Sequence, residues 1–265
     1  MEVDPLLTSI FTLNPHDIQC LLSVSEKKAN QIYRQLQQSD QIYEQIKADE
    51  KNVTIITIID SIYPDILRHI PDPPLVLYAI GNIQLLKAPR LLSVIGTRKP
   101  SHEAREKLHY VITPLIEMNY VIVSGLAYGI DSFAHEQTLH CHGKTIAILG
   151  GGFKHIYPKE HLALCRKIAK HGLVLSEYAP DTRPKKYHFP ERNRIISGVS
   201  QGTLVVEATE RSGTLITVDQ ALEQGKDVFA IPGSPLLQQT VGCHQMIQEG
   251  AKLVMCAKDI YEEWG

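Results

Sequence analysis

The protein has 265 residues and a formal net charge of -2, and 43% of its residues are hydrophobic, which is the composition of an ordinary globular protein. A chain of this length can bury roughly 70–75% of its unfolded surface, so it needs no disulfide staples. No apolar run approaches the ~20 residues of a membrane span, and the acidic start MEVDPLL lacks the features of a signal peptide, so we expect a cytoplasmic protein without a membrane contact.

Residues 1–48 contain no strand-like run and predict a small all-helical N-terminal module. Asn14 before Pro15 is a helix start signal. The apolar residues recur at helical spacing, at Leu21, Leu22, Val24, Ala29, Ile32 and Leu36. Acidic residues outnumber basic ones in this segment, so we do not expect it to bind a polyanion through charge.

Residues 49–265 are predicted to form a second, larger domain. It opens with the β-branched run NVTIITIID and the run PLVLYAIG, which predict two strands. From Leu91 onward, seven apolar strands alternate with six helices. Continuous apolar strands are typical of burial on both faces, so we predict an α/β fold with a doubly wound, mostly parallel sheet. Ser101 is the expected cap of the first of these helices, and Pro114 is expected to kink or shorten it.

The segment RPKKYHFPERNR, residues 183–194, carries five cations and one anion together with Tyr187 and Phe189. Cations interleaved with aromatic rings suit a partner that has phosphates and stackable bases, although a solvated loop is the simpler interpretation of a charge cluster alone. Its position favours the first interpretation, because ligands of doubly wound sheets bind outside the carboxyl ends of the strands.

Small and polar residues follow the predicted strands at this same edge. They are Gly96, Thr97, Arg98, Ser124, Gly125, Gly150, Gly151, Gly152, Ser176, Glu177, Glu207, Ser212, Gly213, Thr214, Pro232 and Gly233. Glycine permits close approach to a ligand, and helix amides bind anions, so we predict a phosphate site there. Arg98 and the segment from Lys186 to Arg194 are expected to meet on one surface.

Several other kinds of site are disfavoured by the residues at the diagnostic positions. The first predicted strand is followed by GTRKPS rather than GxGxxG, and HGKT lacks the glycine and the following helix of a phosphate-binding P-loop. No GxSxG occurs. His140, Cys141 and His142 are neighbours that point in different directions on a helix, so we expect no metal site and no cofactor.

Most of the chain resembles the DNA-processing protein A (DprA/Smf) family of bacterial transformation proteins. The matching motifs lie in register at 63–81, 94–101, 123–135, 148–158, 176–180, 189–200, 205–233 and 242–254, and include VIGTRKPS and FPERNRIISGVS. The resemblance implies an extended Rossmann-like domain that binds single-stranded DNA without sequence preference, forms a homodimer and helps to load the RecA recombinase. It also implies that the N-terminal module is similar to a sterile alpha motif.

The resemblance also implies roles for particular residues. The family's glycine-serine-arginine motif falls on Gly96, Thr97 and Arg98, with Arg98 on a phosphate and Lys99 beside it. Lys186 is then expected on the DNA backbone and Phe189 against a base. The remaining DNA-contacting residues implied are Arg192, Asn193, Arg194, Ser124, Gly125, Ser212 and Gly213. The residues implied for dimer or recombinase contact are His244, Met246 and Ile247.

An enzyme with a related fold is the alternative interpretation. Phosphoribohydrolases that cleave nucleoside monophosphates have a PGGxGTxxE motif with a catalytic glutamate, whereas this chain reads ERSGTLIT, with Ile216 and Thr217 at the corresponding acids. Glu207 or Glu210 could take the place of the missing carboxylate. We therefore expect a binding protein without catalytic residues, with hydrolysis as the alternative.

Overall fold

The computed structural model describes residues 9–37, 39–210 and 212–264, and the chain divides into two compact units, Met1–Val53 and Thr54–Gly265. Among the described helices, none is both long and apolar enough to cross a bilayer. The first unit has a short 3-10 turn at Ser9–Thr12 followed by three helices. These helices are α1 (Pro15–Leu22), α2 (Glu26–Leu36) and α3 (Ser39–Glu50).

The first helix begins as the sequence predicts. The side chain of Asn14 accepts hydrogen bonds from the backbone N–H groups of His16 and Asp17, and Asp17 returns the bond to the Asn14 amide, which forms a capping box. The core of this unit is small, with Ile18 and Ala29 fully buried. Leu21 and Leu22, expected on the apolar face, are instead 47% and 44% exposed.

The second unit is built on a nine-stranded sheet in the order β1-β2-β6-β5-β4-β3-β7-β8-β9. The strands are β1 (Thr54–Thr57), β2 (Val76–Gly81), β3 (Leu91–Ile95), β4 (Val121–Ser124), β5 (Thr145–Leu149), β6 (Leu173–Ser176), β7 (Gly202–Val205), β8 (Asp227–Ala230) and β9 (Lys252–Leu253). The helices are α4 (Asp65–Arg68), α5 (Ala104–Glu117), α6 (Ile130–His140), α7 (Leu162–His171), α8 (His188–Gly198), α9 (Gly213–Glu223), α10 (Gln238–Gln248) and α11 (Lys258–Tyr261), with 3-10 turns at Ile83–Lys87 and Lys159–His161.

The predicted doubly wound, mostly parallel sheet is confirmed. Strands β3 to β9 run parallel to one another, whereas β2 pairs antiparallel with β6 on one side and with the edge strand β1 on the other. Side chains alternate between the two faces within each strand. In β3, Leu92 and Val94 pack against α5 and α6 on one face, and Leu91 and Ile95 join the core beneath α8 and α9 on the other.

The direction of winding reverses at β3. The chain proceeds from β3 through β4 and β5 to β6 on one side, and then places β7, β8 and β9 on the other side of β3. The loops that follow β3 and β7 therefore leave adjacent strands towards opposite faces of the sheet. In open α/β sheets, the crevice at such a switch point is the usual ligand site.

Two local expectations for α5 are corrected. Ser101 is not the N-cap, because the helix begins at Ala104 and the residue before it is Glu103. The Ser101 hydroxyl accepts a hydrogen bond from the Glu103 amide at 3.2 Å and donates to the Glu207 carboxylate at 2.6 Å. Pro114 lies inside the helix, which continues to Glu117, so the helix does not end early at this proline. The stripe predicted on this helix is present, with Leu108, Val111, Ile112 and Leu115 all buried.

Candidate nucleic-acid interface

A cleft of about 810 Å³ opens at the switch point between β3 and β7. It collects ten of the thirteen residues that the family resemblance implies for DNA contact. The predicted residues that line it are Gly96, Thr97, Arg98, Lys99, Lys186, Phe189, Arg192, Asn193, Ser212 and Gly213. The convergence expected for Arg98 and the start of α8 is therefore present in the structure.

The loop between β3 and α5 brings two exposed cations to the cleft. Thr97 is buried, and its amide donates to the backbone carbonyl of Glu207 at 2.7 Å. Arg98 and Lys99 follow it with exposed side chains, and neither forms an ion pair with a described residue. Gly129 holds this loop closely: its φ is +78°, and a Cβ there would lie 2.3 Å from the carbonyl oxygen of Thr97.

Aromatic side chains form the neighbouring part of the cleft wall. The half-buried Phe189 ring packs on the backbone of Gly150, where an added Cβ would lie 3.0 Å from the Phe189 Cδ1. The ring of Tyr157 is tilted by 57° against it, with 5.5 Å between the centroids. Lys186 is exposed one turn earlier. Exposed cations beside aromatic rings are the arrangement found in grooves for single-stranded nucleic acid.

Arg192 has a different role from the exposed cations, because it is 4% exposed. It donates to the backbone carbonyl of Ile148 and, at 2.5 Å, to that of Gly125, so it ties α8 to the ends of β4 and β5. Burial lowers the pKa of its guanidinium to about 10, which leaves it charged at neutral pH. A larger residue at position 125 would displace this guanidinium, since a Cβ there would lie 2.6 Å from it.

The described residues that line the cleft carry one acidic side chain, Asp131, against Arg98, Lys99, Lys186 and Arg192. The Asp131 carboxylate accepts hydrogen bonds from the amides of Gly125, at 3.1 Å, and Ala127, at 3.4 Å. Burial raises its pKa, although the charge of Arg192 and these hydrogen bonds oppose the rise. The cleft therefore has a surplus of positive charge, in a chain whose net charge is negative.

Ten of the sixteen strand-end residues predicted for a phosphate site do not line this cleft. Of the thirteen residues implied for DNA contact, three do not line it. Ser124 is fully buried and donates to the carbonyl of Val94 at 2.6 Å, and Gly125 lies against the Arg192 guanidinium, beside a small adjoining cavity. Arg194 turns away from the cleft and forms ion pairs with Glu177, at 2.7 Å, and Asp72, at 3.1 Å.

The residues expected to contact a partner are also corrected in part. Met246 is 3% exposed and belongs to the core beneath the sheet, so it presents no surface to another chain. It lies three residues after the fully buried Cys243, on the same face of α10. His244 and Ile247 remain partly exposed, and the His244 ring is within 3.1 Å of the Gly233 carbonyl oxygen.

The sequence interpretation missed several residues of the cleft. Tyr157 lies in the long segment after β5, Asp131 in the first turn of α6, and Thr209, Gln238 and Gln239 beyond β7 and β8. All of them follow the carboxyl ends of strands, and this position could have identified them as candidates for the site. Within residues 9–37, 39–210 and 212–264, no group of three or more His, Cys, Asp or Glu side chains is arranged to hold a metal ion.

Comparison with known proteins identifies the family of this chain. The model of a family described as DNA recombination-mediator protein A matches residues 54–265. The chain belongs to this family. A relative named DNA processing protein DprA, from Bacillus subtilis, is 46% identical over 214 residues, which are 81% of this chain and 72% of the relative. The protein of the same name from Streptococcus pneumoniae is 49% identical over 208 residues, 78% of this chain and 73% of that protein.

Solved structures of the DprA family share the fold. The crystal structure of DprA from Streptococcus pneumoniae has a TM-score of 0.85 and 42% identity, and the match covers 95% of this chain and 87% of that one. A structure of DprA from Helicobacter pylori, described for its single-stranded DNA binding mode, has a TM-score of 0.71 and 29% identity over 80% of this chain and 95% of that one. The extended Rossmann-like fold implied by the resemblance is thus confirmed.

Proposed function

We propose that the protein binds single-stranded DNA in the cleft between β3 and β7, without sequence preference. The observation that carries this proposal is the meeting of Arg98, Lys99 and Lys186 with the rings of Phe189 and Tyr157 at the switch point of the sheet. Phosphate contacts and stacking on an aromatic face depend little on the identity of a base. The DNA-binding mode described for the Helicobacter pylori relative supports the same conclusion.

The proposed ligand is a flexible strand rather than a duplex. The cations belong to the loop after β3 and to the segment just before α8, and the rings of Phe189 and Tyr157 line the same cleft. A base reaches an aromatic face only when it is unstacked from its neighbours, which is easy for a single strand and costly for a duplex. We therefore expect the protein to prefer single strands over duplexes of the same sequence.

We further propose that the bound strand is protected and transferred to the RecA recombinase during the uptake of transforming DNA, in the cytoplasm. The name of the matching family, a mediator of recombination, supports this role. A homodimer is part of the proposal, and His244 and Ile247 are the two expected contact residues that retain exposed surface. Size-exclusion chromatography with light scattering, and strand-exchange assays with the recombinase, test these two parts separately.

We propose that the protein acts by binding and has no catalytic residues. The carboxylate of Glu207, one of the two candidates for a hydrolase, is fully buried and hydrogen-bonded to Ser101 and Lys107. Glu210, the other candidate, is exposed and does not line the cleft. This arrangement favours binding over attack on a sugar, because a carboxylate must reach the developing charge to stabilise it.

Two assays test the proposed function. Fluorescence anisotropy with labelled oligo-dT is expected to show saturable binding that weakens as salt increases, because bound cations release counterions from the phosphates. The absence of salt-dependent binding would refute the proposal. Incubation with AMP is expected to release no adenine, and enzyme-dependent release of adenine would favour the phosphoribohydrolase alternative.

A further inference from the structure

The Glu207 carboxylate is buried beside the cleft but does not line it. It accepts hydrogen bonds from the Ser101 amide at 2.8 Å, from the Ser101 hydroxyl at 2.6 Å and from the Lys107 ammonium at 3.0 Å. Its backbone carbonyl accepts a fourth hydrogen bond, from the Thr97 amide at 2.7 Å. One residue at the end of β7 therefore fixes the loop after β3 at two points.

The two attachment points enclose the exposed cations of this loop. Thr97 precedes Arg98 directly, and Ser101 follows Lys99 after one proline, so the backbone of both cations is held from each side. A loop that is already ordered loses less conformational entropy when a ligand binds. The attachment by Glu207 thus bears on the affinity of the cleft as well as on the fold.

We propose that Glu207 is a positioning residue of the polyanion site, which holds Arg98 and Lys99 towards the cleft through the loop between β3 and α5. This inference rests on the proposed binding of single-stranded DNA. The Glu207 carboxylate, one of the two candidates for a catalytic residue of a hydrolase, then has a role in positioning the loop. Glu207 contacts no ligand in this account, and it acts only through the two cations.

Lys107 supplies the charge that makes this arrangement possible. A buried carboxylate without a cation is strongly destabilising, and the Lys107 side chain, 15% exposed, lies within 3.0 Å of Glu207. Partial burial works against the charge of Lys107, but its hydrogen bonds to Glu207 and to Glu103 outweigh this effect and raise its pKa. The Glu103 carboxylate lies 3.1 Å from the same ammonium and is 40% exposed. Among the described residues, it forms no hydrogen bond with Thr97 or Ser101.

The test is a mutant cycle in which the salt dependence of binding is the readout. Glu207→Gln is compared in the wild-type background and in an Arg98→Gln/Lys99→Gln background, by anisotropy titrations of oligo-dT over a salt series. In the wild-type background we expect the magnitude of the slope of log K against log salt to decrease by roughly 0.7 to 1.4, the value of one to two phosphate contacts. In the doubly substituted background we expect no further change in slope, because the cations through which Glu207 acts are gone.

The matched control is Glu103→Gln, which removes the other carboxylate from Lys107 and should leave the slope unchanged. Thermal unfolding is measured for every variant, because a residue that only stabilises the fold would lower the Tm in both backgrounds without changing the slope. An unchanged slope for folded Glu207→Gln, or an equal loss in both backgrounds, would overturn the inference.

A second variant keeps the test decisive if Glu207→Gln does not fold. Ser101→Ala removes the hydroxyl bond to the carboxylate, together with the bond that the hydroxyl accepts from the Glu103 amide, but leaves the charge pair and the Ser101 amide bond in place. We expect it to lower the slope in the wild-type background alone, and an unchanged slope would again contradict the inference. The failure of the proposed function is distinct, since the wild-type protein itself would then show no salt-dependent binding.

Discussion

The guanidinium carbon of Arg98 lies 5.9 Å from the centre of the Phe189 ring. Arg98 belongs to the loop after β3 and Phe189 to the first turn of α8, so the fold joins two elements that are far apart in the sequence. A phosphate bound by Arg98 would lie next to the face on which a base can stack. This pairing lies in the proposed DNA-binding cleft between β3 and β7.

Removal of the Phe189 ring is expected to weaken DNA binding. Stacking of a base on an aromatic side chain contributes roughly 1–3 kcal/mol, so Phe189→Ala should lose about this much in oligo-dT affinity, with a similar loss for other unstructured homopolymers. The control is Tyr110→Ala, which removes a ring that is 63% exposed on α5 and does not line the cleft. A loss below about 0.5 kcal/mol would refute the stacking role of Phe189.

The cations of the cleft are expected to differ from Arg194 in the salt dependence of binding. Arg98→Gln and Lys186→Gln should each reduce the slope of log K against log salt by roughly 0.7, the value for one phosphate contact on a single strand. Arg194→Gln should leave the slope unchanged and lower the Tm, because Arg194 is ion-paired with Glu177 and Asp72. A reduced slope for Arg194→Gln would show that this side chain leaves its ion pairs to bind DNA.

Tyr157 is expected to contribute a second aromatic surface. Its ring is 51% exposed and contacts Phe189 at the cleft. Tyr157→Ala should weaken oligo-dT binding by about 1 kcal/mol or more, whereas Tyr157→Phe, which keeps the ring, should bind as the wild-type protein does. Equal losses in the two variants would assign the effect to the hydroxyl group and contradict a stacking role.

His135 is expected to make stability depend on pH. It is fully buried, and since the Thr145 hydroxyl donates to the Ile122 carbonyl, the His135 Nδ1–H donates to Thr145 at 2.7 Å. Its Nε2 has no hydrogen-bond partner among the described residues, and burial lowers the pKa of the ring to about 3. The unfolded chain therefore binds one more proton than the folded one between this value and an unfolded pKa of about 6.5.

The contribution of His135 to stability is present above pH 6.5 and is lost as the pH falls below it, by about 1.4 kcal/mol for each pH unit at most. Denaturant unfolding at several pH values between about 5 and 7 measures this slope. His135→Asn, whose amide can still donate to Thr145, should show a smaller slope of the free energy of unfolding against pH. Substitution of the exposed His140 is the control and should leave this slope unchanged. Identical slopes for His135→Asn and the wild-type protein would contradict the prediction.

The fold could be predicted largely because the strands are buried on both faces. Continuous apolar runs such as LLSVI and TIAIL identify β3 and β5 without any knowledge of their neighbours. The order of the strands could not be read in this way. The position of β7 beside β3, which creates the cleft, depends on long-range packing that no local pattern encodes.

The residue types of the site could be predicted from the sequence. The directions in which their side chains point could be predicted only in part. Arg192 and Arg194 are two residues apart on α8, so they point to different sides of the helix, one to the strand ends and the other to Glu177. Because this segment has cations at many positions, its sequence does not show which of them face the cleft. Met246 is the opposite case, because its spacing from Cys243 already indicated the core face.

A titration of the wild-type protein with fluorescent single-stranded and duplex oligonucleotides of one sequence, at two salt concentrations, tests whether the cleft is a site for single-stranded DNA. We expect tighter binding of the single strand at both concentrations, and a salt dependence that weakens when Arg98 and Lys186 are both replaced by glutamine. Equal affinity for the two forms, or a salt dependence that these substitutions leave unchanged, would contradict the proposed function.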